Sequence, residues 1–497
     1  MSKSQTPATP SGPTGRKQFA VNAAASWLAN GVKAGLQLLL LPVMARLLGP
    51  NEFGIYALAQ PTVTFFVTLA ESGIGTSLAR EDESNEAVWS TAFWVLMITF
   101  ASMAGCVAAS GFALSTITGQ SQLIGLMAAL SLALPLMALS VTPDARILRR
   151  GNLTLHSWTD IASALTSSAI AVTLALYGWG VWSLAGQYLS NYFVRACVLN
   201  IIAFKRPRAI FDLSSLKNHL GMGGALVSRR LGEMVARSLE NALFERVFGP
   251  GMLGSYAISM QISRFACDVV TNPPSGALYA YTLGNSNEAA RSLQNALLTI
   301  IGLLLLPCMS IAAVVAPHLL PLALGPKWET AGWLLQPVIV AYAVVSIAGL
   351  NDAVLMRHNL TYKATVPALF AAAGRVGAVA LGPWVGAQGV AWVVAVVFII
   401  QAISLAASVP RSLTDGLAGL VKALQGPALC SLAASAVCLA TSHAIGGLSG
   451  DLMAIAAAIA VYILTTWTFS GRRLQPYLVT ARSHLRRSSA PESGIAQ

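Results

Sequence analysis

Apolar residues run through this chain in continuous blocks rich in Leu and Ala, without the two-residue alternation of a half-buried strand. Blocks of about 20 residues suit helices crossing a hydrocarbon layer of roughly 30 Å, where each backbone polar group has to be satisfied inside its own segment. The pattern predicts fourteen helices, near 19–45, 54–79, 88–112, 121–142, 157–177, 180–203, 220–247, 254–281, 292–316, 330–356, 361–380, 384–408, 419–444 and 450–470. The expected class is an all-α polytopic membrane protein. Pro61, Pro273 and Pro274 fall inside predicted spans and mark kinks or breaks. Gly31 and Gly35 fit a small-residue packing patch.

Composition agrees with the pattern. Of 497 residues, 55% are hydrophobic and only 10% charged, against about 25% charged in a soluble domain. Residues 1–18 are Pro-, Ser- and Thr-rich and read as a disordered tail, with no removable signal peptide after them. Six cysteines are scattered through apolar segments and form no CxxC or Cys/His cluster, so they read as small core residues and no metal site is expected. Tryptophans near span ends, such as Trp179, Trp182, Trp328 and Trp384, read as interfacial anchors.

Charge then orients the spans. Basic residues gather in "DARILRRGN", in "FKRPRAIFDLSSLK" and in the tail with Arg472, Arg473, Arg482, Arg486 and Arg487. Connections on the opposite side hold only Arg46, Arg246 and Lys327. The positive-inside rule therefore places both termini in the cytoplasm. The acidic stretch "EDESNE" weighs little in that rule. The formal net charge of +12 is accounted for by topology and calls for no nucleic-acid partner.

One motif occurs twice. "RLLGPNEFGIYA", from Arg46, returns as "RVFGPGMLGSYA", from Arg246, with Gly49, Pro50 and Gly54 matching Gly249, Pro250 and Gly254. Each copy falls in the turn after the first helix of a six-helix set, where Gly-Pro stops one helix before the next begins. Fainter echoes follow, "DARILRRGNL" with "DAVLMRHNL" and "WGVWSL" with "QGVAWVV". An even number of helices separates the copies, so the halves are parallel repeats, an architecture that puts a transporter's substrate site between its halves. The expected domains are a six-helix lobe at 19–203, a basic linker at 204–218, a second lobe at 219–409, two further helices at 410–470 and a basic cytoplasmic tail at 471–497.

"ARLLGPNEFGIYALAQ", "LAESGIGTSLAR" and "LALGPKWETAGWLLQ" together resemble the polysaccharide-unit flippases of the multidrug, oligosaccharidyl-lipid and polysaccharide exporter superfamily. The likeness covers nearly the whole chain, but these motifs are structural turns and do not identify the cargo. The resemblance implies two six-helix lobes set in a V. It also implies passage of an undecaprenyl-pyrophosphate-linked oligosaccharide from the cytoplasmic to the periplasmic leaflet of a bacterial inner membrane, by alternating access. Partners implied are that lipid-linked substrate, membrane lipids and polysaccharide-assembly proteins such as a polymerase, with the flippase itself a monomer.

Polar residues inside the spans support this independently. Asn22, Ser26, Asn30, Lys33 and Gln37 form one stripe on the first helix. Arg229, Glu233, Arg237 and Glu240 share a face of the seventh, with Arg230 on its flank. The second helix carries Thr64, Thr68 and Glu71, and the eighth carries Gln261, Arg264 and Asp268. A charge at the bilayer centre costs about 2.5–3.5 kcal/mol on insertion scales, so such groups face a wet cavity or one another. Helix-internal i,i+4 neutralisation explains single pairs. It leaves Lys33, Arg195, Arg229, Arg230, Arg237, Arg264 and Arg375 in excess over Glu71, Glu233, Glu240 and Asp268. A cationic cavity suits a pyrophosphate, which arginine forks meet well. Lys33, Arg229, Arg230, Arg237 and Arg264 are the leading candidates; Arg195, Arg375, Asn30 and Gln37 follow, since Arg195 and Arg375 sit alone near helix ends and can snorkel. His156 and His358 read as ordinary residues of cytoplasmic turns.

No nucleotide site is present: "GPTGRK" lacks the full phosphate-loop pattern. The drive is therefore expected to be a proton or sodium gradient, with no cofactor, acting through Glu233, Asp268, Glu240 or Glu71. Two other readings compete. A drug or metabolite antiporter of the same superfamily would favour a carboxylate-dominated cavity and usually twelve helices. A polysaccharide polymerase or ligase would need a sizeable outward loop, whereas the longest here, near 317–329, is about a dozen residues.

Overall fold

The computed structural model describes the backbone of residues 13–71, 78, 81, 85–212, 224–445 and 447–488. Side chains are described within 28–67, 85–212, 231–445 and 449–468, and at residues 25, 78, 81 and 447. The chain is all-α, with no strand among the described residues. In order the helices are α1 (Pro13–Leu47), α2 (Pro50–Glu71), α3 (Glu86–Thr118), α4 (Gln122–Ser131), α5 (Ala133–Arg149), α6 (Leu153–Leu176), α7 (Val181–Ala203) and α8 (Gly224–Phe248). They continue as α9 (Pro250–Gly284), α10 (Asn287–Leu324), α11 (Glu329–Ala348), α12 (Asn351–Arg357), α13 (Tyr362–Ala380), α14 (Gly382–Ser408), α15 (Gly416–Ile445) and α16 (Gly447–Ser488). Among the described residues, nine stretches are long and apolar enough to cross a membrane; one of them joins α4 to α5 and another joins α11 to α12.

Several boundaries differ from the expected ones. Residues 13–18, assigned to a tail, extend α1, and α16 runs on through the basic tail to Ser488. Helical backbone continues through Pro61 in α2 and through Pro273 and Pro274 in α9, so these prolines do not break their helices. Each proline forfeits its own N–H hydrogen bond, and the rest of the ladder carries the helix past it. The interruption falls instead at Gly386, where φ is +72° inside α14. Residues 204–212 of the expected linker are non-helical, with a bend at Ala209; 213–218 lie outside the described residues.

The chain divides into two compact units, one ending at Gly254 and the other beginning at Ser255. In the first, α1 lies on α6, α6 on α7, α5 on α7, and α3 on α5. This unit also takes in α8, which the sequence pattern assigned to the second lobe, because α8 packs along α2. Where α1 meets α6, Met44 and Leu48 close on Ala171 and Ala175. In lipid, apolar burial gives no net drive between helices, and small residues let the surfaces approach closely. In the second unit α10 is central. It packs on α11 and α15, and Ile311 and Val315 of α10 meet Ala434, Cys438, Ala454 and Ala458 of α15 and α16.

The repeated motif has the same backbone in both copies. Gly49 and Gly249 adopt φ values of +116° and +82°, and Phe53 and Leu253 donate their N–H groups to the Gly49 and Gly249 carbonyls. The two copies also meet. A Cβ added to Gly54 would stand 1.8 Å from the Pro250 carbonyl oxygen, and one added to Gly254 would stand 1.8 Å from that of Pro50. The glycines are there because the opposing backbone fills that space. A second repeated turn matches as closely. Gly151 and Asn152 donate to the Leu148 and Ile147 carbonyls, and Asn359 and Leu360 donate to those of Met356 and Leu355. Asn359 is the only non-glycine with positive φ among the described residues, where the first copy has Gly151.

Candidate functional site

A set of interacting ionisable groups lies in the first unit, on α1, α5, α6 and α7. Its layout starts at a helix cap: the Asn152 side chain accepts the Leu155 N–H at 3.1 Å and so begins α6 at Leu153. That start sets the helix phase, bringing His156 and Asp160, one turn apart, to the same face. Asp144 comes from the last turns of α5, just before the cap, and Arg195 from α7.

Arg195 joins the two carboxylates. Its Nη2 donates to Asp144 Oδ2 at 3.2 Å and its Nη1 lies 3.3 Å from Asp160 Oδ1. The other oxygen of Asp144 lies 2.6 Å from His156 Nδ1. The other oxygen of Asp160 pairs with Lys33 Nζ of α1, and His156 Nε2 is 4.0 Å from it. Lys33 is 38% exposed, while Asp160, Asp144, Arg195 and His156 are 12%, 17%, 23% and 26% exposed. Two carboxylates thus balance two permanent cations around one imidazole. With His156 neutral the set carries no net charge. Each carboxylate thus faces more than one partner and can exchange one for another without being left bare.

This revises the sequence-based inventory. Arg195 is not alone at a helix end, and His156 belongs to a helix and contacts an acid rather than occupying a turn. Asp144 and Asp160 also meet these cations, which narrows the excess over Glu71, Glu233, Glu240 and Asp268. The other candidates lie elsewhere. Asn30 and Gln37 are exposed on α1, beside Lys33 in sequence. On α8, Glu233 and Arg237 are half-buried and Glu240 is buried; all three make contacts. The side chains of Arg229, Arg230 and Glu71 lie outside the described ones. In the second unit, Arg264 and Asp268 are half-buried one turn apart on α9. Arg375 stacks over the Phe398 ring, 5.5 Å from its centroid.

A second polar seam fixes α8 within the first unit. Asn241 donates to the Ala57 carbonyl at 2.6 Å, and Gln120 donates to Glu245 Oε1 at 3.0 Å. Arg246 donates to the Ile117 carbonyl at 2.7 Å, taking up an acceptor at the open end of α3. Glu245 was not singled out by its sequence position, yet it is 4% exposed.

An all-α fold with apolar stretches long enough to cross a membrane defines a multi-pass membrane protein. Solved structures bear out the class. The lipid II flippase MurJ in an inward closed conformation superposes with a TM-score of 0.70 at 11% identity, covering 90% of this chain and 99% of that one. An inward-facing multidrug resistance MATE family transporter of the MOP superfamily gives 0.61 at 14% identity, covering 80% and 95%. The family model "Polysaccharide biosynthesis protein" matches residues 43–332, more than half of the chain, and the chain belongs to that family. Among curated relatives, the succinoglycan biosynthesis transport protein ExoT of Rhizobium meliloti (strain 1021) is 26% identical, over 60% of this chain and 60% of its own length. The lipopolysaccharide biosynthesis protein WzxC of Escherichia coli (strain K12) is 24% identical over 69% of this chain and 71% of its own. The match thus spans less than two thirds of ExoT.

Proposed function

We propose that the chain is a flippase rather than an enzyme. In this reading it carries an undecaprenyl-pyrophosphate-linked oligosaccharide unit from the cytoplasmic to the periplasmic leaflet of the bacterial inner membrane, acts as a monomer, and hands its product to a polymerase. The observation that carries the reading is membership of the polysaccharide biosynthesis family, with a transport protein among the relatives, on a transporter fold. Chemistry on the helices supports it. Arg229, Arg230, Arg237 and Arg264 offer guanidinium forks suited to a pyrophosphate. Alternating access is driven by a proton or sodium gradient, because inward return of the empty carrier needs a drive and the sequence offers no nucleotide site.

Coupling runs through a carboxylate that exchanges its partner between two states. Glu233 and Asp268 remain candidates, with Glu240 and Glu71 behind them, and the Asp144–His156–Asp160 network adds a further one. The test is cargo movement in inverted vesicles under an imposed gradient. Wild-type protein translocates an undecaprenyl-pyrophosphate-linked oligosaccharide and loses most of that activity when the gradient is collapsed. Arg264→Ala lowers cargo movement while leaving the protein abundant. Equal movement with and without any proton or sodium gradient would remove the coupling claim, and absence of movement of every lipid-linked saccharide would remove the flippase reading.

A further inference from the structure

The segment after α7 is a strap fastened to α3. Residues 204–212 are non-helical, and four hydrogen bonds hold them along the first turns of α3. The Arg208 N–H donates to Ser90 Oγ at 3.0 Å, and Trp94 Nε1 donates to the Arg208 carbonyl at 3.0 Å. The Asp212 N–H donates to Thr91 Oγ1 at 3.1 Å, and that hydroxyl donates to the Ile210 carbonyl at 3.4 Å. Arg208 Nε also pairs with Glu86 Oε2 at 2.7 Å. These contacts occupy Arg208 and leave Lys205 and Arg206 exposed, with no partner among the described residues. Phe204 and Phe211 flank them at 49% and 56% exposure, and the Trp94 ring, 37% exposed, stands beside the strap.

Exposed aromatics next to uncommitted cations, fixed at the end of a membrane-spanning bundle, match the boundary between headgroups and acyl chains. Aromatic rings settle at that level, and lysine and arginine beside it attract anionic lipid. A mobile basic loop would feel the same attraction but would lose conformational freedom on binding; the strap is already ordered. We propose that residues 204–211 form a docking surface for anionic bilayer phospholipid, with Lys205 and Arg206 meeting the headgroup phosphate and Phe204 and Phe211 seated among the upper acyl carbons.

The experiment titrates full-length, delipidated protein with phosphatidylglycerol, phosphatidylcholine or undecaprenyl pyrophosphate and reads bound lipid by native mass spectrometry. Wild-type protein prefers phosphatidylglycerol to phosphatidylcholine, and Lys205→Gln with Arg206→Gln lowers that preference about tenfold. Arg472→Gln with Arg473→Gln, the same loss of charge in the tail, leaves the preference in place. Ser90→Ala with Trp94→Phe removes two strap hydrogen bonds and no charge, and also lowers the preference; unchanged unfolding temperatures establish that each variant is folded. The proposal is overturned if the two phospholipids bind equally to wild type, or if the tail variant loses as much as the strap variant. It is equally overturned if the charge-neutral pair of substitutions has no effect, or if the strap variant loses undecaprenyl pyrophosphate binding while keeping its preference for phosphatidylglycerol.

Discussion

At the scale of single residues, Asp160 decides more than its place in the sequence suggests. It is a lone acid in an apolar helix, yet it lies against both Arg195 and Lys33. Removing one partner from this half-buried ionic set leaves the others uncompensated, at less than the ~3–5 kcal/mol of a fully buried pair. Asp160→Asn is therefore expected to destabilise the protein by about 2 kcal/mol. In a double-mutant cycle, Arg195→Gln combined with Asp160→Asn should cost less than the two separate losses added, by about 1–3 kcal/mol. Thermal unfolding in detergent measures this, and strictly additive losses would mean that the pair is not coupled. The sequence made Lys33 and Arg195 visible because a cation in an apolar run stands out. It did not show which helix faces meet, so their partners were not legible. His156 was misplaced for a smaller reason: α6 was expected to begin at 157 and begins at Leu153. Asn152, a favourable N-cap residue, was the available signal for the earlier start.

At the scale of elements, the twice-used Gly-Pro turn shows what a repeat can and cannot reveal. Its spacing exposed the two equivalent turns, and the backbone of both is the same. That the two copies pack against each other was not readable, since a repeat specifies likeness and not contact. Gly54 and Gly254 are confined by carbonyl oxygens of the opposite copy. Backbone cannot swing aside as a long side chain does, so Gly54→Ala or Gly254→Ala forces the helices apart and should cost about 3 kcal/mol or more. Gly105→Ala on α3 is the control, because nothing lies within 4 Å of the added methyl. A helix-interior alanine there is expected to be neutral or to stabilise by up to about 1 kcal/mol. Unfolding temperatures of the three variants check this, and a Gly54→Ala protein as stable as Gly105→Ala would show that the crossing readily yields.

At the scale of the whole molecule, hydropathy was enough for the class, but α2, α7, α8, α9 and α13 are not among the apolar stretches long enough to span. α8 shows why: Arg229, Arg230, Glu233, Arg237, Glu240, Glu245 and Arg246 dilute it, and its polar groups are met by protein, as Asn241, Glu245 and Arg246 are. A scale built on lipid exposure undercounts helices of that kind. The order of crossings can be tested without relying on hydropathy. If α2, α3, the α4–α5 pair, α6 and α7 each cross once, five crossings separate Asn51 from Ala209, and the two lie on opposite sides of the membrane. Both are exposed, so each can report its side. The positive-inside rule puts Ala209, next to Lys205, Arg206 and Arg208, in the cytoplasm, and Asn51 outside. In a background with the six native cysteines replaced, Asn51→Cys should react with an impermeant maleimide in intact cells. Ala209→Cys should react only after the membrane is opened. Labelling of both from outside would mean that one of these helices does not cross, and the reverse pattern would invert the protein and the direction of transport proposed for it.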